Sequence, residues 1–183
     1  MKTASTACIG AQTTAQSRMA DVLEVALGSL VIALLAQVVI PIGPVPISGQ
    51  TLGVMAVAVA LGPRKGPAAV LLYLAKGAAG LPAFAGGTAG FAVLLGPTGG
   101  YLVGFVAAAW VIGLIVRGPS WSNPAPAALG LATGTAVIYF CGAVWLSRFI
   151  GWDRVLAVGV LPFLVGDAVK IGIVGLAARR LAR

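Results

Sequence analysis

The run from Val22 to Ile40 holds one charged residue, Glu24, and one amide, Gln37, among side chains that are otherwise apolar or small. About 20 such residues in a helix span the hydrocarbon core of a bilayer. Runs of this kind cannot build a water-covered surface, because the chain as a whole is 60% hydrophobic and only 9% charged. A soluble domain carries about a quarter charged residues. Lipid must therefore cover much of the exterior. The 26 glycines suit helices that approach closely in lipid through small side chains.

Interruptions in the apolar pattern divide the chain into six helices. The first is expected over Met19 to Ile40 and is stopped by Pro41, Pro44 and Pro46, since proline cannot continue a helix. The second covers Gly49 to Leu61 and the third Pro67 to Ala79, with Gly62-Pro63-Arg64-Lys65-Gly66 as the turn between them. The fourth covers Tyr101 to Val116, followed by a polar connection from Arg117 to Pro126. The fifth covers Ala127 to Phe149, followed by a turn at residues 151–154. The last apolar stretch, Val155 to Ala178, is interrupted by Pro162, which either opens the sixth helix or kinks it. The pattern thus predicts an all-α integral membrane protein with six transmembrane helices over residues 19–183. Residues 1–18 are polar and small and are expected to form a flexible cytoplasmic tail. A cleavable signal peptide is not expected, because the apolar run begins only after Asp21.

Residues 80–100 break every regular pattern, with Gly86-Gly87, Gly90, Gly96-Pro97 and Gly99-Gly100, yet they carry no charge. Irregular backbone at membrane depth is tolerated where protein buries it or where it lines a cavity. This stretch is expected to fold back over a cavity.

The net charge of +8 is a topology signal and not a nucleic-acid footprint, because the basic residues stand singly or in pairs between apolar runs. With the N-terminus inside, the inner segments hold Lys2, Arg18, Arg64, Lys65, Arg117, Arg179, Arg180 and Arg183, and the outer ones only Arg148 and Arg154. The positive-inside bias thus predicts that both termini are cytoplasmic. The two uncharged loops, 41–48 and 80–100, then share the outer face.

Several chemistries are missing. The chain has no histidine, which removes a histidine base, histidine metal ligands and a Ser-His-Asp triad. Of four acidic residues, Asp21, Glu24 and Asp153 lie at membrane edges, so Asp167 has no carboxylate partner for acid–base work. Cys8 and Cys141 have no metal or redox spacing. No phosphate-binding G-x-x-x-x-G-K-[ST] occurs, so any uphill movement of a solute draws its energy from a partner or an ion gradient. An enzyme is not expected, and no metal or cofactor is either.

Three charged residues, Lys76, Asp167 and Lys170, are not accounted for by loops or membrane edges. Asp167 and Lys170 are three apart and share one helix face. A charge at bilayer depth faces a partner or a polar cavity. The pair fits an internal ion pair, and it fits equally a site for a solute that is polar and neutral at one end and carboxylated at the other. Lys76, close to the outer loop, is expected to snorkel toward the interface. Gln50 and Thr51 open the second helix with Ser48 as its N-cap, or else face the cavity. Phe84, Phe91, Tyr101 and Trp152 form an interfacial belt or supply walls for a flat ligand.

Four segments in order resemble one family. They are Pro44-Val45-Pro46-Ile47-Ser48-Gly49-Gln50-Thr51-Leu52-Gly53; Gly80-Leu81-Pro82-Ala83-Phe84-Ala85-Gly86-Gly87; Gly96-Pro97-Thr98-Gly99-Gly100-Tyr101-Leu102 with Gly104-Phe105; and Pro162-Phe163-Leu164-Val165-Gly166-Asp167-Ala168-Val169-Lys170. Together they resemble BioY, the biotin-specific S component of energy-coupling-factor transporters. The resemblance implies an S-component fold that binds biotin under loops 41–48 and 80–100. It also implies a transmembrane coupling subunit and paired ATPases as partners. It carries the family's helix-six acid and lysine onto Asp167 and Lys170, and it implies Gln50, Tyr101, Thr51, Phe84 and Gly86 as further pocket residues. Ser29 and Ala33, a small-xxx-small pair on the first helix, are expected to meet the coupling subunit, although packing within the bundle explains them too. Ser48 stands where relatives often have Thr. The 80–100 loop lacks the asparagine or arginine that would clamp a ligand carboxylate. A secondary carrier using Asp167 as an ion site, and an assembly subunit without ligand, are the competing readings.

Overall fold

Gly62 decides the shape of the first half of the molecule. In the computed structural model, which describes residues 3–116 and 124–181, α1 spans Thr3–Leu35 and α2 spans Gln50–Ala78. Inside α2, Gly62 takes φ 72°, ψ −169°, a conformation open to glycine and costly for other residues. Pro63 follows with a φ suited to restart a helix. The chain therefore doubles back. Gln50 in the first half bonds Tyr73 in the second, and a Cβ on Gly66 would lie 3.2 Å from the Ala58 Cα. α2 is thus a helical hairpin made of the two expected helices, the second beginning at Pro63 and not at Pro67.

α1 differs from expectation at both ends. It begins at Thr3, so no break in the helix marks the expected boundary at residue 19. It stops at Leu35, not at Ile40. Beyond Leu35 the chain tightens, with Gln37 N–H on the Leu34 carbonyl and Val38 N–H on the Leu35 carbonyl, both at 3.2 Å. The branched residues Val38, Val39 and Ile40, ahead of Pro41, favour extended backbone. β1 (Val39–Ile40) pairs antiparallel with β2 (Ile47–Ser48), Val39 opposite Ser48 and Ile40 opposite Ile47.

The loop after α2 is irregular but firmly held. It contains a single 3₁₀ turn at Ala85–Gly87 and a short helix, α3 (Phe91–Leu95). Phe84, 1% exposed, is its anchor. A Cβ on Gly77 would lie 2.3 Å from the Phe84 ring, so only glycine leaves room for it. The ring meets Tyr73 edge-on at 5.7 Å. Gly90 N–H donates to the Gly77 carbonyl at 2.8 Å, and Gly86 N–H donates to the Ala36 carbonyl at 3.1 Å.

α4 (Gly99–Ile115) and α5 (Pro124–Ile150) follow. They pack closely through small residues: a Cβ on Gly104 would lie 3.1 Å from the Ile138 Cα. Most of the expected polar connection after α4, residues 117–123, lies outside the described residues. α6 (Trp152–Gly159) and α7 (Leu161–Leu181) form the last kinked element. Pro162 is the second residue of α7. It has no N–H to continue the ladder from α6, which explains the break.

Among the described residues, three stretches are long and apolar enough to cross a membrane: Gln50–Ala78, Ala125–Ile150 and Trp152–Ala177. The first is the hairpin, so its length overstates a single crossing. The all-α bundle has six helical passes when the halves of α2 are counted separately and α6–α7 as one. Its exterior is apolar, with Leu27, Leu34, Phe140, Val165 and Leu176 exposed. A solvated protein would not tolerate such a band, whereas lipid does.

Candidate functional site

The β1–β2 ribbon, the start of α2, the Phe84 loop, and parts of α4, α5 and α7 enclose a cavity of about 300 Å³. This lies at the small end of the range for ligand pockets, about 300–1,000 Å³. Its walls are mainly apolar, from Pro44, Val45, Pro46, Val93, Pro97, Leu102, Phe105, Ile138 and Phe163. Lys170 and Asp167 are its charged lining residues.

Those two residues form one polar centre. The Lys170 ammonium lies 2.7 Å from Asp167 Oδ1, one helical turn away on α7. It also donates to Thr51 Oγ1 at 2.7 Å and to the Ser48 carbonyl at 2.9 Å. All three ammonium protons are thereby used. Asp167, 2% exposed, accepts at Oδ1 from Thr51 (2.9 Å) and from Lys170, and at Oδ2 from the Tyr139 hydroxyl (2.7 Å). Both charges are desolvated, and both are met by a partner and by neutral polar groups, as a buried pair requires. A carboxylate offers about four acceptor positions, and the described residues fill three of those on Asp167.

Gln50 is 6% exposed and lines the cavity. Its amide nitrogen donates to the Tyr73 hydroxyl, and its oxygen accepts from Ser48 Oγ at 2.7 Å. The amide's second N–H remains for the cavity. The N-cap position of α2 is Gly49, which makes no side-chain cap bond. Ser48 Oγ instead accepts the Gln50 N–H at 3.3 Å, so Ser48 does part of the capping work from one position earlier.

The other expected site residues separate into two groups. Thr51, Phe84 and Tyr101 line the cavity together with Gln50, Asp167 and Lys170. Gly86 does not line it; its N–H ties the loop to the end of α1, so its contribution is to the wall. Ser29 is fully buried and accepts a 2.8 Å hydrogen bond from the Lys76 ammonium. Lys76 does not snorkel out past the end of α2; it reaches across to α1. Ala33 packs partly against the core. Tyr139 was not legible beforehand. It sits in an apolar run of α5, and its one signal was a phenol at mid-helix, a ring whose polar end needs a partner when buried.

A multi-helix membrane bundle with a mostly apolar cavity and an acid–lysine centre defines a solute-binding membrane protein. Residues 6–183 match the BioY family model, and the chain belongs to the BioY family. It is 40% identical to the probable biotin transporter BioY of Pyrococcus horikoshii over 161 residues, covering 86% of this chain and 95% of the relative. It is 37% identical to the biotin transporter BioY of Thermotoga maritima over 166 residues, covering 90% and 97%. The crystal structure of the S-component for biotin from an ECF-type ABC transporter superposes with a TM-score of 0.81 at 30% identity, covering 91% of this chain and 92% of that one. The chain is a multi-pass membrane protein with the S-component fold.

Proposed function

We propose that the chain captures biotin in this cavity and is the substrate-binding membrane subunit of a biotin uptake transporter. The observation that carries the reading is the Asp167 centre, with one acceptor position left at the end of a small apolar pocket, in a chain whose relatives are named biotin transporters. Biotin's ureido ring offers two N–H donors and a carbonyl. Asp167 accepts a ureido N–H, and the second Gln50 N–H meets the ureido oxygen. The apolar walls take the carbon skeleton. Lys170, with its protons used within the protein, holds Asp167 and the Ser48 backbone in place; it would have to give up one of those bonds to pair with the valerate carboxylate.

The energy source is a transmembrane coupling subunit with ABC-type ATPases, and both termini lie on the cytoplasmic side, residues 1–18 forming the tail there. Ala33 on α1 belongs to the face that meets the coupling subunit. Labelled-biotin uptake in cells without a biotin transporter of their own tests this arrangement. Uptake should rise sharply when the coupling subunit and ATPases are co-expressed and should survive an ionophore. Uptake that is equally fast without them, and is collapsed by the ionophore, would identify a secondary carrier instead.

A further inference from the structure

We infer that Tyr101 is a positioning residue: its hydroxyl fixes the joint between α6 and α7, and through that joint the Asp167–Lys170 face. The inference rests on the cavity being the ligand site.

The joint arises from Pro162. In an unbroken helix the Gly159 carbonyl would accept the N–H of Phe163. Here Val160 departs to φ −128°, ψ −59°, and the Phe163 N–H bonds the Val160 carbonyl at 3.0 Å. The Gly159 carbonyl is thereby released in a buried position, where a backbone polar group needs a partner. The Tyr101 hydroxyl supplies it, donating at 2.7 Å from α4. Two glycines on two other helices admit the side chain. A Cβ on Gly142 of α5 would lie 2.2 Å from the ring, and one on Gly159 of α6 would lie 2.6 Å from the hydroxyl. Tyr101 thus sits in a socket of α5 and α6, while its ring faces the cavity and meets Phe163 at 6.4 Å. Phe163 stands one turn before Asp167 on α7. The hydroxyl proton is spent on the joint, so the phenol acts on the ligand through α7 and not as a donor to it.

The test uses the full chain in nanodiscs, with Cys8 and Cys141 replaced and spin labels placed at Leu156 and Val169, which are 63% and 60% exposed on α6 and α7. Wild-type protein should give one narrow label–label distance without ligand. Tyr101→Phe keeps the ring and removes the hydroxyl. It should broaden that distance and weaken biotin roughly tenfold, the worth of one hydrogen bond, and saturating biotin should narrow the distance again. Gly159→Ala, which pushes the hydroxyl away from the opposite side, should broaden it too. An Asp167→Asn control should lose affinity with the distance unchanged. A wild-type distance in Tyr101→Phe overturns the inference, and with lost affinity it would assign the hydroxyl to the ligand directly. A broadened distance with unchanged affinity would also overturn it, since the joint would then not set the site. If wild-type protein ignores biotin, the proposed function fails on that arm alone, while the label distances still report on the joint.

Discussion

The Lys170 ammonium and the Asp167 carboxylate meet at 2.7 Å on one face of α7, and the two remaining lysine protons reach across to the Ser48 carbonyl and the Thr51 hydroxyl. One side chain therefore joins the last helix, the ribbon and the start of α2. Removing it leaves a buried carboxylate without its counter-charge. Lys170→Ala should destabilise the protein by about 3–5 kcal/mol and abolish biotin binding. The double variant Asp167→Asn, Lys170→Met should recover most of that stability and none of the binding. Thermal unfolding and equilibrium titration of the wild type and these two variants check this.

Tyr139 donates to the other carboxylate oxygen. Tyr139→Phe keeps the ring in the wall and removes one bond to a charged acceptor, worth about 1.5–3 kcal/mol. Biotin affinity should fall by roughly 10- to 100-fold, with little change in the unbound protein's fold. Calorimetric titration measures the affinity, and affinity at the wild-type value would remove Tyr139 from the site.

Phe84 occupies space that a glycine leaves open. Gly77→Ala places a methyl within 2.3 Å of its ring, so the ring must leave its socket and the loop must lift. The expected cost is about 1–3 kcal/mol of overpacking. Amide exchange in residues 83–90 should accelerate, because Gly90 N–H is bonded to Gly77 itself. Unchanged exchange there would show that the loop is held by other contacts.

Lys76 has no carboxylate within ion-pair distance among the described residues, and Ser29 is its hydrogen-bond partner. Lys76→Met replaces a poorly compensated cation with an apolar side chain of similar length. It should leave stability equal or raised and leave biotin binding intact, since Lys76 does not line the cavity. Ser29→Ala keeps the cation and removes its acceptor, so it should cost about 1–3 kcal/mol. The melting temperature should be at or above the wild-type value for Lys76→Met and below it for Ser29→Ala.

What the sequence disclosed is what local pattern encodes. The apolar runs and proline stops located the helices, and the spacing of Asp167 and Lys170 put them on one face before any packing was known. The end of α1 was misplaced because Val38 to Ile40 are apolar in either a helix or a ribbon, and pairing with residues 47–48 decides between them. Gly86 shares a motif with Phe84, but its role is in its backbone, which composition does not reveal. Ser29 and Ala33 marked a close-packing face without saying toward what, and the hydrogen bond from Lys76 to Ser29 depends on a residue 47 positions away. Tyr139 stayed hidden for the same reason. Its hydroxyl has meaning only once α5 is packed against α7.

The most direct measurement is the melting temperature of purified, ligand-depleted protein with and without biotin, beside the Asp167→Asn variant. A ligand that binds only the folded state raises the melting temperature as its concentration passes Kd. The account predicts a concentration-dependent rise with biotin, none with a vitamin of different shape, and none for Asp167→Asn. A folded, ligand-free wild-type protein whose melting temperature ignores biotin, or an Asp167→Asn variant that responds as wild type does, would contradict it.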